Sequence, residues 1–198
     1  MNLILNKFLA IFTNFESNMK YLILSDIHGS LPQLDKVIDH FNSIHMDMLI
    51  ILGDILNYGP RNGVPEGLNT TGIVDRLNKL KDRIICVRGN CDSEVDQMLL
   101  EFPIMSDYTI VVDNGKKLFL THGHNYNEDN VPSTAYDAIV YGHTHVYKLE
   151  NKNGRIICNT GSITFPKEGN PPTFATYSDG LFKILDLQGQ TITELEIS

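Results

Sequence analysis

A small set of oxygen and nitrogen donors recurs at comparable places along the chain. Asp26 and His28 close the run Leu24-Ser25-Asp26-Ile27-His28-Gly29. Asp54 follows Gly53, Asn90 follows Gly89, His122 precedes Gly123, and His143 and His145 follow Gly142. Each arrives as a short apolar run ends, with a glycine close by. Oxygen and imidazole donors without a thiolate pair suit manganese, iron, zinc or cobalt. Seven donors exceed the four of a structural zinc site and fit two ions that share a bridging carboxylate. Two divalent ions against two carboxylates leave a formal charge of about +2, a trap for phosphate. Ions ~3.5–4 Å apart activate a bridging water and clamp phosphate oxygens during in-line displacement.

The elements around these residues must bring them together. Tyr21-Leu22-Ile23-Leu24 reads as a buried strand. If the backbone stays extended past it, residues i and i+2 point to one side, so that Asp26 and His28 reach one point. Ser30-Leu31-Pro32 opens a helix, with Ser30 near the N-cap and Leu34, Val37, Ile38 and Phe41 on its apolar face. Asp47–Leu52 is a second strand, apolar enough to be buried on both faces, and it delivers Asp54. In open α/β sheets the ligand crevice lies where parallel strands end. A helix over Thr71–Leu80 and a strand over Arg83–Val87 follow, delivering Asn90, and Ser93 caps a helix to Leu100.

Beyond this point the pattern changes to hairpins. Asp113-Asn114-Gly115-Lys116 is a turn between two strands, Asn-Gly being the strongest short turn signal. The second of those strands ends at His122, and Ala138–Tyr141 ends at His143 and His145. The remainder alternates as antiparallel strands. Asn57–Gly63 is a loop whose Arg61 offers a planar fork to a substrate phosphate, or simply holds the loop. His40 and His45 close the first helix, where the dipole favours them, and are set aside as ligands.

Bulk composition narrows the class. The chain of 198 residues suits one domain, with 42% hydrophobic and 20% charged residues. A net charge of −8 does not suit non-specific binding to nucleic acid or an anionic membrane. Any attraction for phosphate must be local, and bound cations are its source. Three cysteines, Cys86, Cys91 and Cys158, form no CxxC and point to a reducing, cytoplasmic setting. No apolar run reaches the ~18 residues of a membrane span. Residues 1–18 stand apart as an N-terminal extension or an upstream start, because Phe8-Leu9-Ala10-Ile11-Phe12 is shorter than the ~7–15 residues of a signal core. The domain is expected over residues 19–198.

Asp-x-His, Gly-Asp, Gly-Asn-x-Asp, a separate His and Gly-His-x-His, in this order, resemble the calcineurin-like metallophosphoesterase superfamily. The likeness runs from Met19 to the C-terminus. It implies an α/β sandwich of two mixed sheets flanked by helices. It assigns Asp26, His28 and His145 to one ion, Asn90, His122 and His143 to the other, and makes Asp54 the bridge. It implies manganese first, with iron, zinc, cobalt or nickel as alternatives, a small phosphate diester as substrate, and a homodimer or homotetramer. The catalytic residues so implied are Asp54, Asn90 and Cys91, with Arg61, Cys91 and His124 toward the substrate. His124 fits no ligand slot.

One departure bears on substrate. The superfamily usually carries His after Gly-Asn, and this chain has Cys91. A thiol with a pKa near ~8.5 is a poor substitute for an imidazolium acid, which favours diesters over monoesters. The competing expectations are a phosphomonoesterase or protein phosphatase of the same superfamily, and a non-catalytic interaction module like the retromer subunit of this fold.

Overall fold

A computed structural model describes residues 18–197. The extension assigned to residues 1–18 therefore lies, apart from Asn18, outside the described residues. The described chain forms two mixed β-sheets packed face to face. Eleven strands run in chain order: β1 (Tyr21–Leu24), β2 (Met48–Ile51), β3 (Ile84–Cys86), β4 (Tyr108–Asp113), β5 (Lys116–Thr121), β6 (Ala138–Tyr141), β7 (Tyr147–Lys152), β8 (Arg155–Thr160), β9 (Thr173–Ser178), β10 (Leu181–Asp186) and β11 (Thr191–Glu196). Three α-helices are interposed: α1 (Leu31–Ser43), α2 (Thr70–Asn78) and α3 (Glu94–Leu99).

The first sheet has the order β11-β10-β9-β1-β2-β3 and the second β4-β5-β6-β8-β7. In the first, β1 pairs in parallel with β2, and β2 with β3. In the second, β5, β6 and β8 are parallel neighbours. Strands alternate their side chains between two faces. Tyr21, Ile23 and Ile50 accordingly face Leu118, Leu120, Val140 and Ile156 of the other sheet, in a core between the sheets. Leu22, Leu24, Leu49 and Ile51 face outward, against Leu34, Val37 and Phe41 of α1 and Ile73 and Leu77 of α2.

The sandwich expected from the sequence is present. Among the described residues, α1 and α2 pack on the first sheet. The outer face of the second sheet carries Phe119, Ile139, Tyr141 and Ile157, covered by Tyr126, Val131 and Tyr136 from the connection between β5 and β6. That connection crosses between parallel strands, but its run of Asn, Asp and Pro does not sustain a helix.

Local chemistry accounts for the element ends. Ser93 and Asp96 form a reciprocal capping box at α3, and Asn69 caps α2 by accepting from the Gly72 N–H at 2.9 Å. Ser30 sits at the N-cap of α1 as expected, but its hydroxyl donates to the Glu66 carbonyl at 2.8 Å and caps nothing. The Asn114-Gly115 turn has both residues at positive φ, 46° and 79°, the handedness that matches strand twist.

Candidate metal centre

The seven donors gather where the parallel strands end. Asp26 and His28 follow β1, Asp54 follows β2, Asn90 follows β3, His122 follows β5, and His143 and His145 follow β6. Convergence does not come from extended backbone, as the sequence suggested. Asp26, His28, Asp54, His143 and His145 have φ of 58°, 48°, 55°, 65° and 64°. Left-handed backbone costs a non-glycine residue about 1–2 kcal/mol, and such strain concentrates at functional sites. The chain turns sharply at each of these donors, and the turn aims the side chain inward.

Two sets of donors result. In the first, Asp26 Oδ1 lies 3.3 Å from His28 Nε2 and 3.1 Å from His145 Nε2, and the two Nε2 atoms are 3.2 Å apart. All three side chains are buried. In the second, His122 Nε2 lies 3.1 Å from Asn90 Oδ1 and 3.2 Å from His143 Nδ1. Asp54 joins them: its Oδ2 is 3.6 Å from His28 Nε2 and 3.6 Å from His122 Nε2.

The surroundings fix how these groups present themselves. His28 Nδ1 faces the Asn57 carbonyl at 2.9 Å, His122 Nδ1 the Leu52 carbonyl at 2.7 Å, and His145 Nδ1 the Phe165 carbonyl at 2.7 Å. A carbonyl only accepts, so each Nδ1 carries the hydrogen, and in the neutral ring each Nε2 turns a lone pair toward the centre. Asp26 Oδ1 is buried there with no hydrogen-bond partner. Two lone pairs and an orphaned carboxylate oxygen at such distances call for a cation, and the donor set fits a divalent transition ion. Asp54 and His122 extend the same cluster from Asp26.

The electrostatics follow from burial and proximity. Burial would raise Asp26, but the facing His145 and His28 rings hold its carboxyl well below the usual range. Burial would lower His28, and Asp26 lifts it instead. Burial and then His122 bring His143 down to about 4, so its ring is neutral near pH 7. Burial, followed by the Asp54 charge, pushes the Cys91 thiol up to about 12.

The loops are locked together by their backbones. The Cys91 N–H donates to Asp54 Oδ1 at 2.8 Å, and the His143 N–H donates to Asp26 Oδ2 at 2.9 Å. Glycine is required at both joints. A Cβ on Gly89 would lie 2.1 Å from Asp54 Oδ1, and one on Gly142 would lie 2.0 Å from Ser25 Oγ.

Asp92, the last residue of Gly-Asn-x-Asp, is the buried clamp of this region. Its carboxylate accepts from the backbone N–H groups of Asp54 at 2.9 Å, Ile55 at 2.9 Å and Gly89 at 2.7 Å. Burial raises its pKa, against the Ile55 and Gly89 hydrogen bonds. Ser162 and Asn159, from the Asn-Thr-Gly-Ser run, brace the same region. Ser162 Oγ donates to the Asp26 carbonyl at 3.0 Å, and Asn159 Nδ2 to the Gly142 carbonyl at 2.8 Å. Asn159 lies within β8 and Ser162 two residues past its end.

A cavity of about 300 Å³ opens over the donors, lined by His28, Asp54, Asn90, His143 and His145 together with Arg61 and Cys91. Lys167, not singled out from the sequence, lines it as well. His124 does not line it. Its ring stands 5.3 Å from His122 and 6.1 Å from His143, half-buried, with a buried Nδ1 that has no partner. Cys86 is buried in the core, and His40 faces the Leu187 carbonyl at 3.2 Å, far from the donors in function.

Residues 19–178 match the profile described as the calcineurin-like phosphoesterase superfamily domain. Phosphodiesterase YfcE of Escherichia coli K12 is 43% identical over 175 residues, spanning 88% of this chain and 95% of its own. Phosphodiesterase MJ0936 of Methanocaldococcus jannaschii is 29% identical over 151 residues, 72% of this chain and 83% of its own. The solved structure of the E. coli phosphoesterase YfcE aligns with a TM-score of 0.88 at 42% identity, covering 91% of this chain and 100% of that one.

Proposed function

The chain belongs to the calcineurin-like phosphoesterase superfamily, and from that premise we propose that it is a metal-dependent phosphodiesterase whose two donor sets hold one divalent ion each. The observation that carries this is the orphaned, buried Asp26 Oδ1 facing two imidazole lone pairs, continued through Asp54 to a second donor set. The names of the relatives YfcE and MJ0936 support the diester as substrate. Manganese is the first candidate ion.

When bound, a pair of divalent ions supplies an activated water at neutral pH and positive charge against the phosphoryl oxygens. The chain's own residues prepare that chemistry. Asp54 sits between the sets and holds them at one spacing. Asn90 lines the cavity, so its carboxamide can serve an ion through oxygen and a phosphoryl oxygen through N–H. Cys91 keeps its proton at neutral pH and has no imidazolium's power to protonate a leaving oxygen. That favours diesters with good leaving groups.

Among the described residues no helix is long and apolar enough to cross a membrane. Three free cysteines support a reducing, cytoplasmic setting. Tyr108, Ile110 and Val112, exposed in a row on edge strand β4, support self-association as a homodimer or homotetramer.

The test is an activity screen of purified protein against manganese, iron, zinc, cobalt and nickel, with bis-p-nitrophenyl phosphate beside p-nitrophenyl phosphate. Turnover of the diester should dominate, and Cys91→His should raise the share of monoester. No diester turnover with any of these metals refutes the reading. Faster monoester turnover with Cys91 intact refutes the diester preference.

A further inference from the structure

Resting on the phosphodiesterase reading, we propose that Arg61 and Lys167 form a second anion subsite in the cavity, and that the natural diester carries an anionic group besides the phosphate being cleaved. Both cations line the cavity with the metal donors. They arrive on two loops fastened to two histidines of a single donor set. The Asn57 carbonyl takes His28 Nδ1, and the loop then turns through Gly59, whose N–H donates to Asn57 Oδ1 at 2.9 Å, to reach Arg61. The Phe165 carbonyl takes His145 Nδ1, and two residues later the Lys167 N–H donates back to the His145 carbonyl at 3.0 Å. The backbones that fix the ring orientations therefore also place the cations.

The charge count argues for a second anion. Two divalent ions against Asp26 and Asp54 leave about +2, already more than the single negative charge of a diester. Arg61 and Lys167 add two further positive charges. Acids outnumber bases 24 to 16 in this chain, yet neither cation has an ion-pair partner among the described residues. Arg76, Lys81, Lys148, Lys152 and Lys183 are paired with carboxylates, and what sets Arg61 and Lys167 apart from the remaining bases is that they line the cavity. A planar guanidinium and a mobile ammonium suit a phosphate, which takes a bidentate fork and a point charge together.

General steering grows with ligand charge but is screened by salt, so a seated second phosphate is told from it by a preference that persists at about 0.15 M salt. The experiment compares binding of thymidine 5′-phosphate and thymidine 3′,5′-bisphosphate to the manganese-loaded full chain by calorimetry at low salt and again at about 0.15 M salt. The bisphosphate should bind about tenfold tighter. In Arg61→Ala/Lys167→Ala the ratio should approach one, with circular dichroism and metal content retained. Equal affinities in the wild type, or a preference that survives in the double variant, overturn the subsite. Hydrolysis of bis-p-nitrophenyl phosphate by the same protein tests the underlying reading separately. Turnover without the binding preference refutes the subsite alone. A preference without turnover supports the subsite and refutes the phosphodiesterase reading.

Discussion

The two donor sets differ in how firmly the fold holds them. Asp26, His28 and His145 are buried, and both of their histidines have Nδ1 fixed by a carbonyl. Asn90 is exposed and His143 half-buried. His143 turns its Nδ1 toward His122 and not toward a carbonyl, and Asn90 Nδ2 contacts Cys91 Sγ at 3.2 Å. One half is buried and locked although its His28 and His145 also line the cavity, and the other has two side chains free to adjust there. A donor set whose rings are already locked loses little freedom when an ion arrives. If each set holds an ion, the closed half would retain its charge and the open half would exchange it.

The strongest way to break this contrast is to remove the residue common to both halves. Asp54→Asn takes away the charge between the sets while keeping the oxygen that accepts the Cys91 N–H. Manganese-dependent turnover of bis-p-nitrophenyl phosphate should fall by roughly 10³-fold with the circular dichroism spectrum unchanged. Retained turnover would remove Asp54 from the centre of the site. A milder experiment sharpens the contrast directly. Under graded chelation the open half should empty first, at an affinity at least about tenfold weaker than the closed half. Elemental analysis alongside the rate should show activity lost while close to half of the metal remains. Simultaneous loss of both ions would mean that the two halves are equivalent.

Much of this was legible from the residue order, for a physical reason. Apolar runs set the strands, and glycine next to a polar residue marks where a strand must stop and a ligand can be presented. What failed was the local geometry. Asp26 and His28 were expected to converge on extended backbone, but left-handed turns aim them, and a spacing of two does not distinguish these. The Ser30 hydroxyl was spent on Glu66, a partner 36 residues away that no helix rule contains. Whether the polar crossover from β5 to β6 forms a helix over the outer face of the second sheet is something apolar periodicity does not report. Lys167 was invisible because its place depends on the His145 carbonyl across a tertiary contact.

Asp92 offers the finest test of the difference between the halves. Its two oxygens serve three backbone donors, one beside Asn90 and two at Asp54 and Ile55, and none in the loop of Asp26 and His28. Through Gly89 its influence falls on the open half alone, whereas through Asp54 and Ile55, whose carbonyls accept from the His28 and Gly29 N–H groups at 2.9 and 3.0 Å, a smaller part reaches the closed half. In Asp92→Asn one oxygen becomes an NH₂ group that faces a backbone N–H, so at least one buried donor loses its acceptor at a cost of about 1–3 kcal/mol. Stability should fall by that order in thermal melts of the metal-free protein. A fold-wide brace would do no more than that. A positioning residue would also weaken the second manganese ion by about 10–100-fold and the first by clearly less, because Gly89 anchors only the open half while Asp54 serves both. It would further let kcat recover as manganese is raised, since Asn90 and Asp54 themselves remain. Calorimetric titration of manganese separates the cases. A lower melting temperature with both manganese affinities intact would reduce Asp92 to a structural support, and equal weakening of both ions would show that the two halves are not independently held.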